Sequence, residues 1–147
     1  MNNEAWEIAH LEGYTLRIMK INRRAVYEKY DGHCAYCGRA MEFGKMQVDH
    51  YWPQFLNHFK PGLEPDRFTN LMPSCAKCNN HKYGMRPEVW RSELGKQVAR
   101  LRKNAQFDRA LRFGQIEIQE SPIVFYFERY NKSIQRIKTA DFHVRRQ

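Results

Sequence analysis

All four cysteines of the chain fall in two identical Cys-x-x-Cys pairs, Cys34-Ala35-Tyr36-Cys37 and Cys75-Ala76-Lys77-Cys78, with Val48-Asp49-His50 between them. Two residues between cysteines let one turn deliver both sulfurs to one metal, and two such pairs supply the four thiolates of a tetrahedral structural Zn²⁺ site. Gly38, directly after the second cysteine, permits the tight turn that lets backbone N–H groups point at sulfur. Asp49-His50 is a different kind of pair, a carboxylate that can ligate a second metal beside an imidazole that can take a proton from water. Thioredoxin-like redox chemistry would use one Cys-x-x-Cys inside a βαβ pattern, which the sequence does not have. In a reducing compartment four such thiols favour metal over disulfides.

These residues need a scaffold. Met46-Gln47-Val48-Asp49 reads as a short strand, Tyr51 to Thr69 as a long loop rich in Pro, Gly and aromatic residues, and Asn70-Leu71-Met72 as the return of a hairpin. Neighbours on a regular strand face opposite sides, so Asp49 and His50 can meet one substrate only where the strand ends, and Pro53 makes that ending plausible. A loop of that length inside a small domain is functional when chemistry sits at its edges. Its aromatic residues Trp52, Phe55 and Phe59 read as core packing, and His33 and His58 carry no specific signal. Upstream, Asn22 reads as the cap of a helix from Arg23 to Tyr30, ended by Asp31-Gly32, with Val26 and Tyr30 sharing its buried face. Downstream, a helix is expected after Cys78 through Asn80, His81 and Lys82, and another from Pro87 to about Asn104 with Val89, Trp90, Leu94, Val98 and Leu101 at helical spacing. A third segment through Phe107, Ala110 and Leu111 stops at Gly114. Ile123-Val124-Phe125-Tyr126-Phe127 reads as a strand, followed by a basic helix or tail from Tyr130. Residues 1–21 read as a packing arm or short strand.

At 147 residues the chain suits one compact zinc-stapled module with appendages. Three segments are expected: an N-terminal arm over 1–21, a core with the zinc knuckles over 22–84, and a basic helical extension with a short aromatic strand over 85–147. The formal charge is +9. It is concentrated late, for 15 of the 25 basic but only seven of the 16 acidic residues lie from Lys82 onward. That half is the better candidate for gripping phosphates. Neither a secretory leader nor an apolar run long enough to span a bilayer is visible, which implies an intracellular protein without a membrane partner.

Taken in order, the first Cys-x-x-Cys, Asp49-His50 with Pro53, Asn70-Leu71, and the second Cys-x-x-Cys followed by Asn79 and Lys82 resemble the HNH nucleases of the ββα-metal (His-Me finger) class in their zinc-stapled variety. The resemblance covers roughly Arg23 to Gly84. The overall layout, with the late Phe125-Tyr126-Phe127-Glu128, resembles small HNH proteins of bacteriophages and mobile elements, and a bacterial cytoplasm is then the expected location.

The resemblance implies an α+β fold with a ββα-metal core, a four-cysteine zinc site and flanking helices. It implies a DNA endonuclease in which His50 is the general base, Asp49 and Asn79 ligate one catalytic Mg²⁺ or Mn²⁺, and Asn70 hydrogen-bonds backbone to hold the loop that sets the His50 ring. Asn stands in the third motif position where the family name has His. His81, about 200° round a helix from Asn79, reads as a phosphate contact or surface histidine. Lys82 reads as a phosphate contact, with Arg86, Arg91, Arg100, Arg102 and Lys103 lining double-stranded DNA. One active site per monomer would nick one strand, and double-strand cutting would take a dimer or two sequential nicks. The rival readings are a non-catalytic zinc-ribbon DNA-binding protein, in which Asp49 and His50 merely cap a hairpin, and an RNase of the same fold.

Overall fold

The computed structural model describes residues 5–11, 14–57 and 65–132. His58, Phe59 and the tail after residue 132 lie outside the described residues. Two separate two-stranded antiparallel sheets are present among the described residues. The first joins β1 (Ala5–Leu11) to β2 (Tyr14–Lys20), in register from Ala5↔Lys20 to Leu11↔Tyr14. Trp6 and Ile8, then Leu16 and Ile18, recur at period two, which suits a strand hairpin better than a loose arm.

Helix α1 (Arg23–Glu28) starts where the Asn22 side chain accepts a hydrogen bond from the Ala25 backbone, 3.1 Å. It ends at Asp31 and Gly32, both at positive φ. A Cβ on Gly32 would stand 2.7 Å from the Tyr27 hydroxyl, so the turn has room only for glycine. Val26 and Tyr30 are buried as their spacing requires.

The second sheet positions the chemistry. β3 (Gln47–His50) pairs with β4 (Leu71–Ser74) from Gln47↔Ser74 to His50↔Leu71. Pro73 sits inside β4, which a two-stranded sheet tolerates because each strand has a free edge. Asn70 closes a 3₁₀ turn, Phe68–Asn70, instead of starting the return strand, and the long loop contains α2 (Gln54–Asn57). Helix α3 (Ala76–Lys82) follows β4 directly, completing a β–β–α order. It begins three residues earlier than the sequence suggests, with Cys75 as its N-cap, so Cys78 lies in its first turn.

Two expectations fail downstream. The single helix from Pro87 is two, α4 (Pro87–Gly95) and α5 (Gln97–Leu101), broken at Gly95 and Lys96, where glycine's conformational freedom weakens a helix interior. Helix α6 (Ala105–Arg112) follows, capped by the Asn104 side chain and ended by Gly114 at positive φ. The aromatic run Ile123 to Phe127 is not a strand: residues 121–125 have no regular structure and 126–132 are helical. The cause is local. Glu128 reaches back to accept from the Phe125 backbone N–H at 2.9 Å, as the third residue of a helix does for its cap. The Tyr126 and Phe127 N–H groups then donate to Tyr36 and Ala35 at 2.9 and 2.8 Å. Those two bonds fasten the C-terminal segment to the first cysteine pair.

The main core gathers Tyr30, Cys34, Ala35, Tyr36, Met72, Trp90 and Phe125. Trp90 stacks on Phe125 with centroids 5.3 Å apart, and the Tyr36 ring meets both edge-on. A smaller cluster of Val26, Met46 and Leu71 packs α1 against the second sheet. No helix among the described residues is long and apolar enough to cross a membrane.

Candidate active site and zinc centre

The turn at 34–38 and the N-terminus of α3 bring all four cysteines together, every Sγ within 4.8 Å of the others. Tetrahedral Zn–S bonds of ~2.3 Å place sulfurs ~3.8 Å apart, and Cys37 and Cys75 are already at 4.0 Å. The cluster fits a structural zinc site. Without an ion the four sulfurs are unequal: the hydrogen bond from Cys78, helped by the N–H groups of Cys75, Cys37 and Tyr36, holds the Cys34 thiol down to about 4 against burial, the same hydrogen bond and burial push Cys78 up, and burial pushes Cys37 up. Gly38 has φ 75°, and a Cβ there would stand 2.7 Å from the Tyr126 ring, so the knuckle turn is glycine-specific twice over.

The second centre sits where β3 ends. Asp49 and His50 line one cleft of about 300 Å³ with Pro53, Gln54, Phe55, Lys82, Tyr83 and Gly84. The chain leaves the sheet directly after His50, through bends at Tyr51 and Trp52, so alternation does not separate the pair. Asp49 is buried, and its Oδ2 accepts from the Tyr36 hydroxyl and lies 3.0 Å from Lys82 Nζ. Lys82 is 1% exposed and also donates to Asp49 Oδ1 at 3.3 Å and to the His50 carbonyl at 2.8 Å. Burial, then the Asp49 charge, push the Tyr36 phenol up, which keeps its proton on oxygen as a donor to the carboxylate.

His50 Nε2 lies 2.8 Å from Asp66 Oδ1 and 3.3 Å from Gln54 Nε2. Asp66 belongs to the end of the long loop, and nothing in its spacing singles it out in the sequence. Among the described residues the Asn70 side chain bonds only to backbone: its Oδ1 accepts from Trp52 N at 2.8 Å, and its Nδ2 donates to the Trp52 and Pro65 carbonyls at 3.1 and 2.9 Å. It therefore ties the residues after His50 to those beside Asp66. Lys29 Nζ reinforces the same turn through the carbonyls of Phe68 and Leu71 at 3.1 and 2.9 Å, and burial pushes its pKa down to about 8.

Asn79 does not line this cleft. Its Nδ2 donates to Gln47 Oε1 at 2.8 Å. Gln47 and Asp49 share one face of β3, and Asn79 and Lys82 one face of α3, so Asn79 stands a helical turn from the Asp49–Lys82 pair.

Several expected nucleic-acid contacts are placed otherwise. Lys82 is enclosed by its ion pair rather than presented to a phosphate. Arg91 grips Glu128 through both nitrogens, at 2.5 and 3.1 Å, and donates to the Ile123 carbonyl at 2.6 Å, so it secures the C-terminal segment. His81 is exposed, but its Nδ1 accepts from the Trp90 indole at 2.7 Å. Arg86 is exposed, its guanidinium carbon 5.7 Å from the centre of the Trp52 ring. Trp52 and Phe55 are not core residues, at 44% and 54% exposure; Tyr51 takes the inward place, packing on Phe127.

Residues 34–84 match the family model described as HNH endonuclease. Among solved structures the chain is similar to the type II-C Cas9 enzyme from Actinomyces naeslundii, with 25% identity and a TM-score of 0.41 over 62% of this chain and 10% of that one. The chain thus spans about a tenth of that enzyme's length. No curated protein matches it.

Proposed function

We propose, from the premise that residues 34–84 form an HNH endonuclease domain, that this chain hydrolyses DNA phosphodiester bonds with His50 as general base and one Mg²⁺ or Mn²⁺ ion held by Asp49 and Asn79. The observation that carries the reading is the His50–Asp66 pair at the mouth of a cleft shared with a buried carboxylate. A carboxylate only accepts, so the shorter of the two contacts to Nε2 sets the proton there and leaves Nδ1 to take one from water. Asn70 holds the loop that presents the ring.

The donor chemistry suits a hard cation. Among the described residues Asp49 Oδ1 has only the 3.3 Å contact to Lys82, which leaves it an open lone pair. Asn79 stands a helical turn outside the cleft, on the helix facing β3, and its donation through Nδ2 leaves free the amide oxygen that would be the second ligand. The ion, when bound, supplies charge neutralisation on the phosphate and the leaving 3′ oxygen. Lys82 and Tyr36 hold the Asp49 carboxylate in place. The products would carry a 5′ phosphate and a 3′ hydroxyl, and a monomer would nick one strand.

Supercoiled-plasmid relaxation by the zinc-loaded chain, with Mg²⁺, with Mn²⁺ and without added divalent ion, tests this against His50→Ala, with RNA in parallel. Metal-dependent nicking that disappears in the variant supports the reading. DNA binding without nicking would favour the zinc-ribbon alternative, and cleavage confined to RNA the RNase alternative.

A further inference from the structure

The cleft at His50 carries an aromatic rim for which hydrolysis has no use. Tyr83, at the C-terminal end of α3, has φ 49° and ψ −129°, a conformation that favours glycine and strains any residue with a β-carbon. A tyrosine there gains nothing from packing, since it is 87% exposed. Gly84 follows, and a Cβ on it would come 2.9 Å from Phe55 Cε1, so the Phe55 ring lies directly on the backbone beside Tyr83. Both rings line the cleft that holds Asp49 and His50. Trp52, two residues beyond His50, is exposed as well and has the Arg86 guanidinium over it.

Single exposed aromatic residues are ordinary. Two on the wall of one cleft, one of them held in a glycine conformation, suit a specific ligand: a flat, apolar, aromatic group attached to an anionic backbone. We propose that Tyr83 and Phe55 form a subsite for unpaired DNA bases next to the scissile phosphate. The preferred substrate is then a single strand, or a duplex opened at the cut. In a regular duplex both faces of each base are covered by its neighbours, and the platform has nothing to stack on. Every unpaired base offers such a face, so the subsite contributes affinity without reading sequence. The basic chain, at +9 overall, supplies the attraction to phosphate.

The inference rests on the nuclease reading of the same cleft, but binding can be measured without catalysis. Fluorescence anisotropy of a labelled single-stranded DNA oligonucleotide and of its duplex, with the zinc-loaded full chain and no added divalent ion, gives the two affinities. The single strand should bind more tightly. Tyr83→Gly, which relieves the φ strain while removing the ring, should weaken single-strand binding about 5- to 150-fold, leave duplex binding within about twofold, and not lower the melting temperature. Phe55→Leu, which keeps an apolar cover on Gly84 without a π face, should act in the same direction. Equal affinities for strand and duplex, or unchanged single-strand binding in both variants, would overturn the subsite. His50-dependent nicking with no strand preference would defeat this inference and leave the nuclease standing. Strand preference without nicking would do the reverse.

Discussion

His50 Nε2 and Asp66 Oδ1 face each other at 2.8 Å across 16 positions of sequence, joining the last residue of β3 to the far end of the long loop. His50→Ala should lower the cleavage rate by the ~10²–10⁴-fold typical of a lost general base, with zinc content and melting unchanged. Asp66→Ala should cost roughly 10- to 100-fold, a fraction of that ceiling, while Asp66→Asn, which keeps an acceptor for Nε2–H, should retain more activity. ¹⁵N shifts of the His50 ring would report the Nε2–H tautomer in the wild type and a mixture in Asp66→Ala. Equal activity in the Asn and Ala variants would rule out the orienting role.

Lys82 and Asp49 are a buried pair, and removing one partner leaves the other charged in a poor solvent. Lys82→Met should lower the unfolding free energy by about 3–5 kcal/mol in urea titration. Combining it with Asp49→Asn should recover much of that loss, since the double variant buries no unpaired charge. A Lys82→Met protein as stable as wild type would place the ammonium in solvent rather than between the sheet and α3.

The four-cysteine cluster should hold one Zn²⁺ per chain by elemental analysis. Cys75→Ser removes a thiolate whose own backbone N–H also donates to Cys34 Sγ at 3.4 Å, so both metal content and cooperative unfolding should be lost together. Chelation of the wild type should give the same circular dichroism spectrum as the variant. A variant that melts like wild type would detach the fold from the metal.

Glu128 links pH to the C-terminal segment. Its hydrogen bond from Arg91 holds its carboxyl below the usual carboxylate range. Because the folded pKa is depressed, the stabilisation is fully present above the ordinary carboxylate pKa and drains away as pH falls through the lowered one. Trp90, stacked on Phe125, is a natural reporter. Its fluorescence should shift on acidification below about pH 4.3, the usual Glu value, and Glu128→Gln should show the altered signal already at neutral pH.

The cysteine cluster, the strand end at Asp49-His50 and the Asn22 cap were legible because each depends on the identity and spacing of a few neighbouring residues. What was illegible depends on partners distant in sequence. Lys82 has the appearance of a surface lysine until α3 sets it against Asp49, and Arg91 of a solvated one until Glu128 folds back onto it. Asp66 has no motif. The run from Ile123 to Phe127 has strand composition, but a single carboxylate, Glu128, turns its end into a helix by taking the Phe125 N–H. The rings of Trp52 and Phe55 follow the statistics of core residues and yet face solvent.

Four consecutive residues, Cys34 to Cys37, answer to three masters. Their two sulfurs belong to the metal cluster, the carbonyls of Ala35 and Tyr36 anchor the C-terminal segment, and the Tyr36 hydroxyl bears on Asp49. Whatever coupling this peptide carries is reciprocal by thermodynamic linkage: to the extent that a metal on the cysteines favours the native placement of Asp49, a ligand that favours that placement tightens the hold on the metal by an equal factor. The knuckle is thus one joint on which the cysteine cluster, the C-terminal segment and the Asp49 side chain all bear.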